Sequence, residues 1–450
     1  TMYKLEPLKV YALEAVMHDQ RSRARMQRML AAIGRSEADL EIITDDNLPE
    51  VAAELGKLWP PETPPEGVPL TYTRPLVFTH QVLSGEWPDI TPILERSVEG
   101  TSAAHVHAIL GHIDPVRPYH KRADDWQENR VCWPTFDFGT MSGCPHGCQY
   151  CGEGKSGKFI AIAVNLEDFM EEAVGPTIEA KPWQKCFRMI GWGADHIAWE
   201  PEYQCLDLYT RKLAEYDGRY GYFHTASANV DWIEDLPHRD RLIGVWSVTC
   251  EAVARDIEPG SGPARERFDA AAKCQQWGVP VRFKFKPMIP VRNWREEYAQ
   301  IIEYMLERTE PESIGFCVIM WMNLKTLATK IDLDLLDPEY VQAAQDAAEE
   351  MEGNVCAPFP HRVRKEIYQF LIREVRRWNK DVPLYISTES REMWDELKDE
   401  LGQDPRAYVC GCSSVAVPGR KLALSPDCPG STYLQPPQGE SQTVQGGAPE

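Results

Sequence analysis

The chain reads as a soluble α/β protein, on three observations. Between about residues 130 and 390, short β-rich runs alternate with longer helical ones, the pattern of a parallel sheet with helices outside it. A cysteine-rich loop, SGCPHGCQYCGEG, directly follows the first of those strand candidates. In parallel α/β folds chemistry gathers at the C-terminal ends of strands, and this loop stands at one. Finally, 450 residues with 43% apolar and 26% charged content can bury a full core.

Taken in order, residues 1–125 form a mixed N-terminal extension. Tyr11–Gly34 has the periodicity of an amphipathic helix, with Ala12, Val16, Met26, Leu30 and Ile33 on one face. Leu58–Gly67, LWPPETPPEG, is too rich in proline for regular structure and is a loop. Residues 126–395 hold the alternating segment. Its strand candidates are Val131–Phe138, Phe159–Val164, Cys186–Gly191, Gly221–His224, Leu242–Val248, Val281–Lys286, Ser313–Val318 and Pro383–Ser387. Its helices are expected at Leu166–Ala173, Cys205–Tyr216, Ala264–Trp277, Trp294–Glu307, Pro338–Met351 and Arg364–Asn379. A closing segment, 396–435, precedes a tail, 436–450, too poor in apolar residues to fold.

Thirteen scattered cysteines fit a reducing compartment better than a disulfide framework. No apolar run reaches the roughly 18–20 residues of a membrane span, and no signal-peptide pattern is present. A cytoplasmic location without membrane contact is the expectation. The net charge of −21 opposes binding along a phosphate backbone, which favours a small-molecule substrate. A local basic groove keeps nucleic acid as the second class.

Cys144, Cys148 and Cys151 follow a C-x3-C-x2-C spacing, with Tyr150 before the last. Three soft thiolates on one short loop suit an iron–sulfur cluster, and the next cysteine is only at Cys186. Three ligands to four irons leave one iron open. A structural zinc loop and three unrelated buried thiols are the alternatives, although zinc sites usually take cysteines in C-x2-C pairs. The arrangement resembles the radical S-adenosylmethionine (SAM) superfamily. That resemblance implies a [4Fe–4S] cluster, SAM chelated at its open iron, reductive formation of a 5′-deoxyadenosyl radical, and an electron donor of flavodoxin or ferredoxin type.

Further stretches resemble spore photoproduct lyase and its relatives. They are VNLEDF (164–169), the D-x-x-A-x-E of Asp195, Ala198 and Glu200, TASAN (225–229), W-S-x-T (246–249), EPGS (258–261), VRFKFKPMIPVRNW (281–294) and VPLYISTES (382–390). The resemblance covers about residues 130–395 and implies a partial (β/α)6 barrel with cluster and SAM in its mouth. The chain also departs from the lyase. The lyase's hydrogen-returning cysteine aligns near Met189, the aromatic after its last cluster cysteine is Gly152 here, and the lysine of its third-strand motif is Ala226. Of its tyrosine set only Tyr150 is kept. These departures separate the chain from the lyase's own hydrogen-return pathway.

Tyr150, Asp195, Ser227, Asn229, Ser247 and Thr249 are the candidate SAM-binding groups, being polar side chains on the cluster loop or at strand ends. The alternative is ordinary capping and turn-shaping. Trp192, Trp199 and Trp246 either wall the site or pack the core. Arg282, Lys284 and Lys286 alternate along one strand and share one face, inward toward an anionic substrate or outward to solvent. His105, His107, His112 and His120 form a loose group without a cysteine or carboxylate partner. GEGKSGKF (152–159) lacks the Ser or Thr that a P-loop needs after Gly-Lys. For returning a hydrogen atom the candidates are Cys186, Cys410 and Cys412, with the C-G-C pair preferred because a closing segment can fold back over the barrel mouth. With Cys428, and Cys356 as a fourth ligand, that pair also allows an auxiliary cluster, or plain buried thiols.

Overall fold

The computed structural model describes residues 1–119, 130–152, 157–189, 194–425 and 427–428. Its strands in chain order are β1 (Val10–Leu13), β2 (Leu40–Ile43), β3 (Leu76–Thr79), β4 (Val116–Tyr119), β5 (Thr135–Phe138), β6 (Met141–Ser142) and β7 (Ile160–Ala163). There follow β8 (Cys186–Met189), β9 (Tyr220–Thr225), β10 (Leu242–Ser247), β11 (Val281–Met288), β12 (Ile314–Val318) and β13 (Leu384–Ile386). A last short hairpin joins β14 (Ala416–Val417) to β15 (Lys421–Leu422).

Strands β2, β1, β3, β7 and β6 form one sheet in that order, parallel except for β6. The run Ile160–Ala163 is thus a strand, as its apolar composition predicts, but it pairs with Leu76–Thr79 in the N-terminal sheet rather than with its neighbours in the alternating segment. An apolar run buried on both faces fits either sheet, and only tertiary pairing decides between them. Tyr11–Gly34 is not one helix. Val10–Leu13 is a central strand between β2 and β3, and two helices follow, Glu14–His18 and Gln20–Ala32. Asp19 separates them by accepting from the Arg21 and Ser22 amides, as an N-cap does.

The second sheet runs β13-β12-β11-β10-β9-β8-β5-β4, parallel except for edge strand β4. Helices Cys205–Ala214, Ala264–Gln276, Trp294–Arg308 and His361–Trp378 stand close to their predicted bounds. The expected helix at 338–351 is regular only over Pro338–Asp346. Arg130 bridges Ser390, and the Val131 amide donates to the Glu389 carbonyl at 2.9 Å, so the chain entering β5 meets the chain leaving β13.

The closing segment approaches from the end opposite to the one expected. After helix Arg391–Leu401 it enters the sheet's interior at the N-terminal ends of the strands. The Lys185 and Cys186 amides, at the start of β8, donate to Ser414 O at 2.8 and 2.9 Å. Buried Arg282 is paired with Glu312 and donates to Ala416 O at 3.0 Å, and Tyr222 donates to Cys412 O at 2.8 Å. Strand starts and a buried guanidinium need acceptors, and this segment supplies them. It is a floor rather than a lid. Among the described residues no helix is long and apolar enough to cross a membrane.

Candidate active site at the strand ends

A cavity of about 450 Å³ opens at the C-terminal ends of the parallel strands. Cys144, Cys148 and Cys151 line one side of it. Their loop is clamped from two directions. Arg74 donates to Cys144 O at 2.6 Å, and the Gln149 amide to Ile257 O at 3.0 Å. The EPGS stretch contributes Gly260, whose amide donates to His146 O at 2.8 Å; a Cβ there would lie 2.5 Å from Pro145 O. Gly147, at φ +66°, passes so near Thr71 that a Cβ would stand 1.9 Å from its methyl carbon. Both glycines are therefore demanded by close approach.

The three thiols face one another electrostatically, Cys144 and Cys151 both raising Cys148. Burial, with Asp195 nearby, pushes the Cys144 thiol up to about 12. Burial and the Glu258 carboxylate likewise raise Cys148. Only a strongly positive centre makes such thiols good ligands, which is what iron supplies.

Behind the loop, polar groups are tightly paired. Asp195 accepts from Thr225 Oγ1 at 2.7 Å, from the Ala226 amide at 2.9 Å and from the Ile197 amide at 3.0 Å, and lies 2.6 Å from His146 Nε2. Burial alone would raise its carboxyl, but His146 and these donors hold it below its ordinary value. Tyr150 donates to Glu258 at 2.7 Å, and Glu258 also accepts from buried Arg267 at 2.6 Å.

The far wall is cationic. Arg188, His224, Lys284 and Lys286 all line the cavity, with Arg188 paired to Asp137. His224 shares a 3.0 Å hydrogen bond with Ser247, and burial plus the charges of Lys284, Arg188 and Lys286 hold its pKa well down. The alternating basic residues of β11 thus face inward. On the floor, Cys412 accepts from Lys284 Nζ at 3.1 Å. Gly411 explains the C-G-C spelling, since a Cβ there would meet Tyr385 Oη at 2.7 Å and Lys284 Cγ at 3.4 Å.

The spore photoproduct lyase family model matches residues 135–333, the stretch that carries the cysteine loop and most of the cavity. This segment is similar to the spore photoproduct lyase family. Two curated relatives named spore photoproduct lyase are similar to the chain. That of Bacillus subtilis is 25% identical over 38% of this chain and 51% of its own length. That of Clostridium acetobutylicum is 22% identical over 42% and 58%. The match therefore spans little more than half of either relative. Among solved structures, a spore photoproduct lyase variant gives a TM-score of 0.56 at 15% identity, covering 86% of this chain and all of that one. Another variant, solved with bound AdoMet and dinucleoside spore photoproduct, gives 0.55 at 15% identity over 86% and 100%. At these identities the likeness is one of fold.

Within this segment, Tyr150, Asp195 and Ser247 line the cavity. Ser227, Asn229 and Thr249 do not. Ser227 accepts from the Asn229 amide, Asn229 ties Ile197 O and Glu200 O, and Thr249 meets Tyr298 Oη at 3.3 Å, so these three shape turns and packing. Cys186 is buried below the cavity, its thiol donating to Ala416 O at 3.2 Å among Tyr222, Ile243 and Val245. Cys410 is buried beside Cys412, and Cys132, which the sequence reading passed over, lines the cavity. Cys356 donates to Glu389 at 3.2 Å, and Cys428 packs in the main core. Trp199 and Trp246 are core residues, the latter donating to Ser227 O. His107 and His112 contact each other at 2.7 Å beneath Trp87, while His105 packs on Phe159. Trp192, His120, the Glu153–Ser156 part of the GEGKSGKF run and the tail lie outside the described residues. Arg188 and His224 were missed although a period-two reading of β8 and β9 points to both, two residues beyond inward-facing Cys186 and Tyr222.

Proposed function

We propose that the chain is a radical SAM enzyme with a partial (β/α)6 barrel, and that it abstracts a hydrogen atom from a small-metabolite or nucleoside-like substrate. The observation that carries this reading is the convergence of the three C-x3-C-x2-C cysteines on one cavity at the strand ends. Cys144, Cys148 and Cys151 would hold a [4Fe–4S] cluster, whose open iron supplies reductive cleavage of SAM to a 5′-deoxyadenosyl radical. Tyr150, Asp195 and Ser247 are the side chains placed to orient SAM. The Asp195–His146 pair keeps the cysteine loop in register with β9. Lys284 and Lys286 present positive charge to the substrate. The Cys410–Cys412 pair would return the hydrogen atom to the substrate radical, Cys412 reaching the cavity from the floor and giving the electron while Cys410 behind it, whose thiol keeps its proton, gives the proton; Cys186 does not line the cavity. An electron donor of flavodoxin or ferredoxin type and a cytoplasmic setting complete the reading.

Repair or modification of a nucleic acid is the second reading. The names of the relatives, and a solved lyase bound to a dinucleoside spore photoproduct, favour it. The net charge of −21 favours the small molecule. Anaerobic reconstitution with iron and sulfide, followed by SAM, reductant and either cell-extract metabolites or oligonucleotides, separates the two. The first reading expects 5′-deoxyadenosine stimulated by the metabolites, and stimulation by oligonucleotides alone would reverse the ranking.

A further inference from the structure

We propose that Lys286, Ser387 and Trp321 form a subsite for an organic anion with a planar apolar body, so that the substrate is an amphipathic carboxylate or similar acid. The proposal rests on the reading of the cavity as a radical SAM site and names the substrate class for it.

Lys286 is half-buried in the cavity wall. Its ammonium donates to Ser387 Oγ at 3.2 Å and approaches Thr388 Oγ1 at 3.5 Å, and it lies 4.7 Å from the centre of the Trp321 ring. Among the described residues it has no carboxylate partner, unlike Arg188 with Asp137 or Arg282 with Glu312. Among the described residues the one carboxylate lining the cavity, Asp195, is hydrogen-bonded to His146 and makes no ion pair with Lys286. Half-buried, with two hydroxyls and a ring as its direct partners and the Cys412 thiol acted on only through space, this ammonium can take a further anion as a direct partner.

Trp321 is 44% exposed, an unusual state for a large ring, and it stands at the cavity rim beside Met322. Its backbone lies at φ +68°, and Thr388 at φ +59°. Non-glycine residues in the left-handed region cost free energy and persist where the surroundings over-determine them, as at binding sites. Here two such residues flank the same ammonium. Ser387 and Thr388 are almost fully buried, so the hydroxyls are fixed rather than swinging in solvent. An ammonium held by fixed acceptors below and an apolar plate above define an acid head and a flat body.

The test uses the full chain, reconstituted and saturated with SAM so that the cofactor's own carboxylate is already placed. Tryptophans are replaced by 5-fluorotryptophan, and Trp321→Phe assigns the Trp321 fluorine resonance. Phenylacetate and its uncharged analogue phenylacetamide are the probes. Phenylacetate is expected to shift that resonance saturably and to bind at least about tenfold more tightly than the amide, the scale of one charge-assisted hydrogen bond. Lys286→Met should abolish the discrimination, and Ser387→Ala should reduce it. No saturable shift, equal affinities in the unsubstituted protein, or unchanged discrimination in Lys286→Met would overturn the subsite. The same preparations are assayed for 5′-deoxyadenosine. Its absence in the unsubstituted protein sinks the underlying reading, whereas its presence without acid discrimination sinks the subsite alone.

Discussion

Two groups of thiols reach one cavity from opposite ends, and they are built differently. Cys144, Cys148 and Cys151 come from a loop clamped by backbone hydrogen bonds, and burial keeps at least Cys144 and Cys148 protonated in the absence of a metal. Cys412 comes up from the floor with an ammonium at 3.1 Å. A hydrogen bond from Cys410, aided by Lys284, Arg188 and Lys286, holds its thiol well below the ordinary range against the opposing effect of burial. The contrast teaches that cysteine chemistry follows surroundings more than spacing. One group waits for iron, and the other has its charge balanced by protein.

The contrast can be broken most forcefully at the loop. Cys144→Ser, Cys148→Ser or Cys151→Ser should each lower bound iron to below about one per chain and reduce 5′-deoxyadenosine to background, because each thiolate holds one iron of the cluster. Iron analysis and product chromatography read both effects.

At the floor, Lys284→Met removes a charge that favours the Cys412 thiolate. Alkylation of Cys412 by iodoacetamide at neutral pH, followed by peptide mass spectrometry, should slow about tenfold. In the unsubstituted protein the rate should fall less steeply as pH is lowered, because the thiol is held below its ordinary range. In the variant it should fall more steeply.

Asp195→Asn sharpens the comparison from the stability side. A buried carboxylate with His146 and several donors should be worth about 2–4 kcal/mol, read by denaturant unfolding at pH 7. Its carboxyl is depressed in the folded state, so that contribution is present above the ordinary carboxylate range and lost as pH falls through the folded value. The variant should therefore show a shallower acid limb of the stability curve.

A smaller loss, about 1–3 kcal/mol, is expected for Gly411→Ala, where the added methyl must displace Tyr385 and Lys284. Thr249→Val should change SAM affinity by less than about twofold, since Thr249 faces Tyr298 rather than the cavity.

Much of this was legible in the residues. The cysteine loop stands on a cavity at the strand ends, where its place after a strand candidate put it, and most of the parallel strands stand close to their predicted bounds. What stayed hidden was pairing and direction. Ile160–Ala163 is equally good for either sheet, and Val10–Leu13 carries apolar residues that suit a helix face as well as a central strand. Ser227, Asn229 and Thr249 share their residue types with Ser247, and only the way each strand end turns sends one hydroxyl into the cavity and the others into caps. The C-G-C run was visible, but not that it threads the sheet from below, which depends on the acceptors that Lys185, Cys186 and Arg282 require.

The central claim is that the three loop cysteines hold an open-sited four-iron cluster. Electron paramagnetic resonance of the reconstituted, dithionite-reduced chain, recorded with and without SAM, tests it most directly. The account predicts a signal of a reduced [4Fe–4S] cluster that changes on adding SAM and vanishes in Cys148→Ser. A chain that takes up one zinc, and shows no iron–sulfur signal after anaerobic reconstitution, would contradict it.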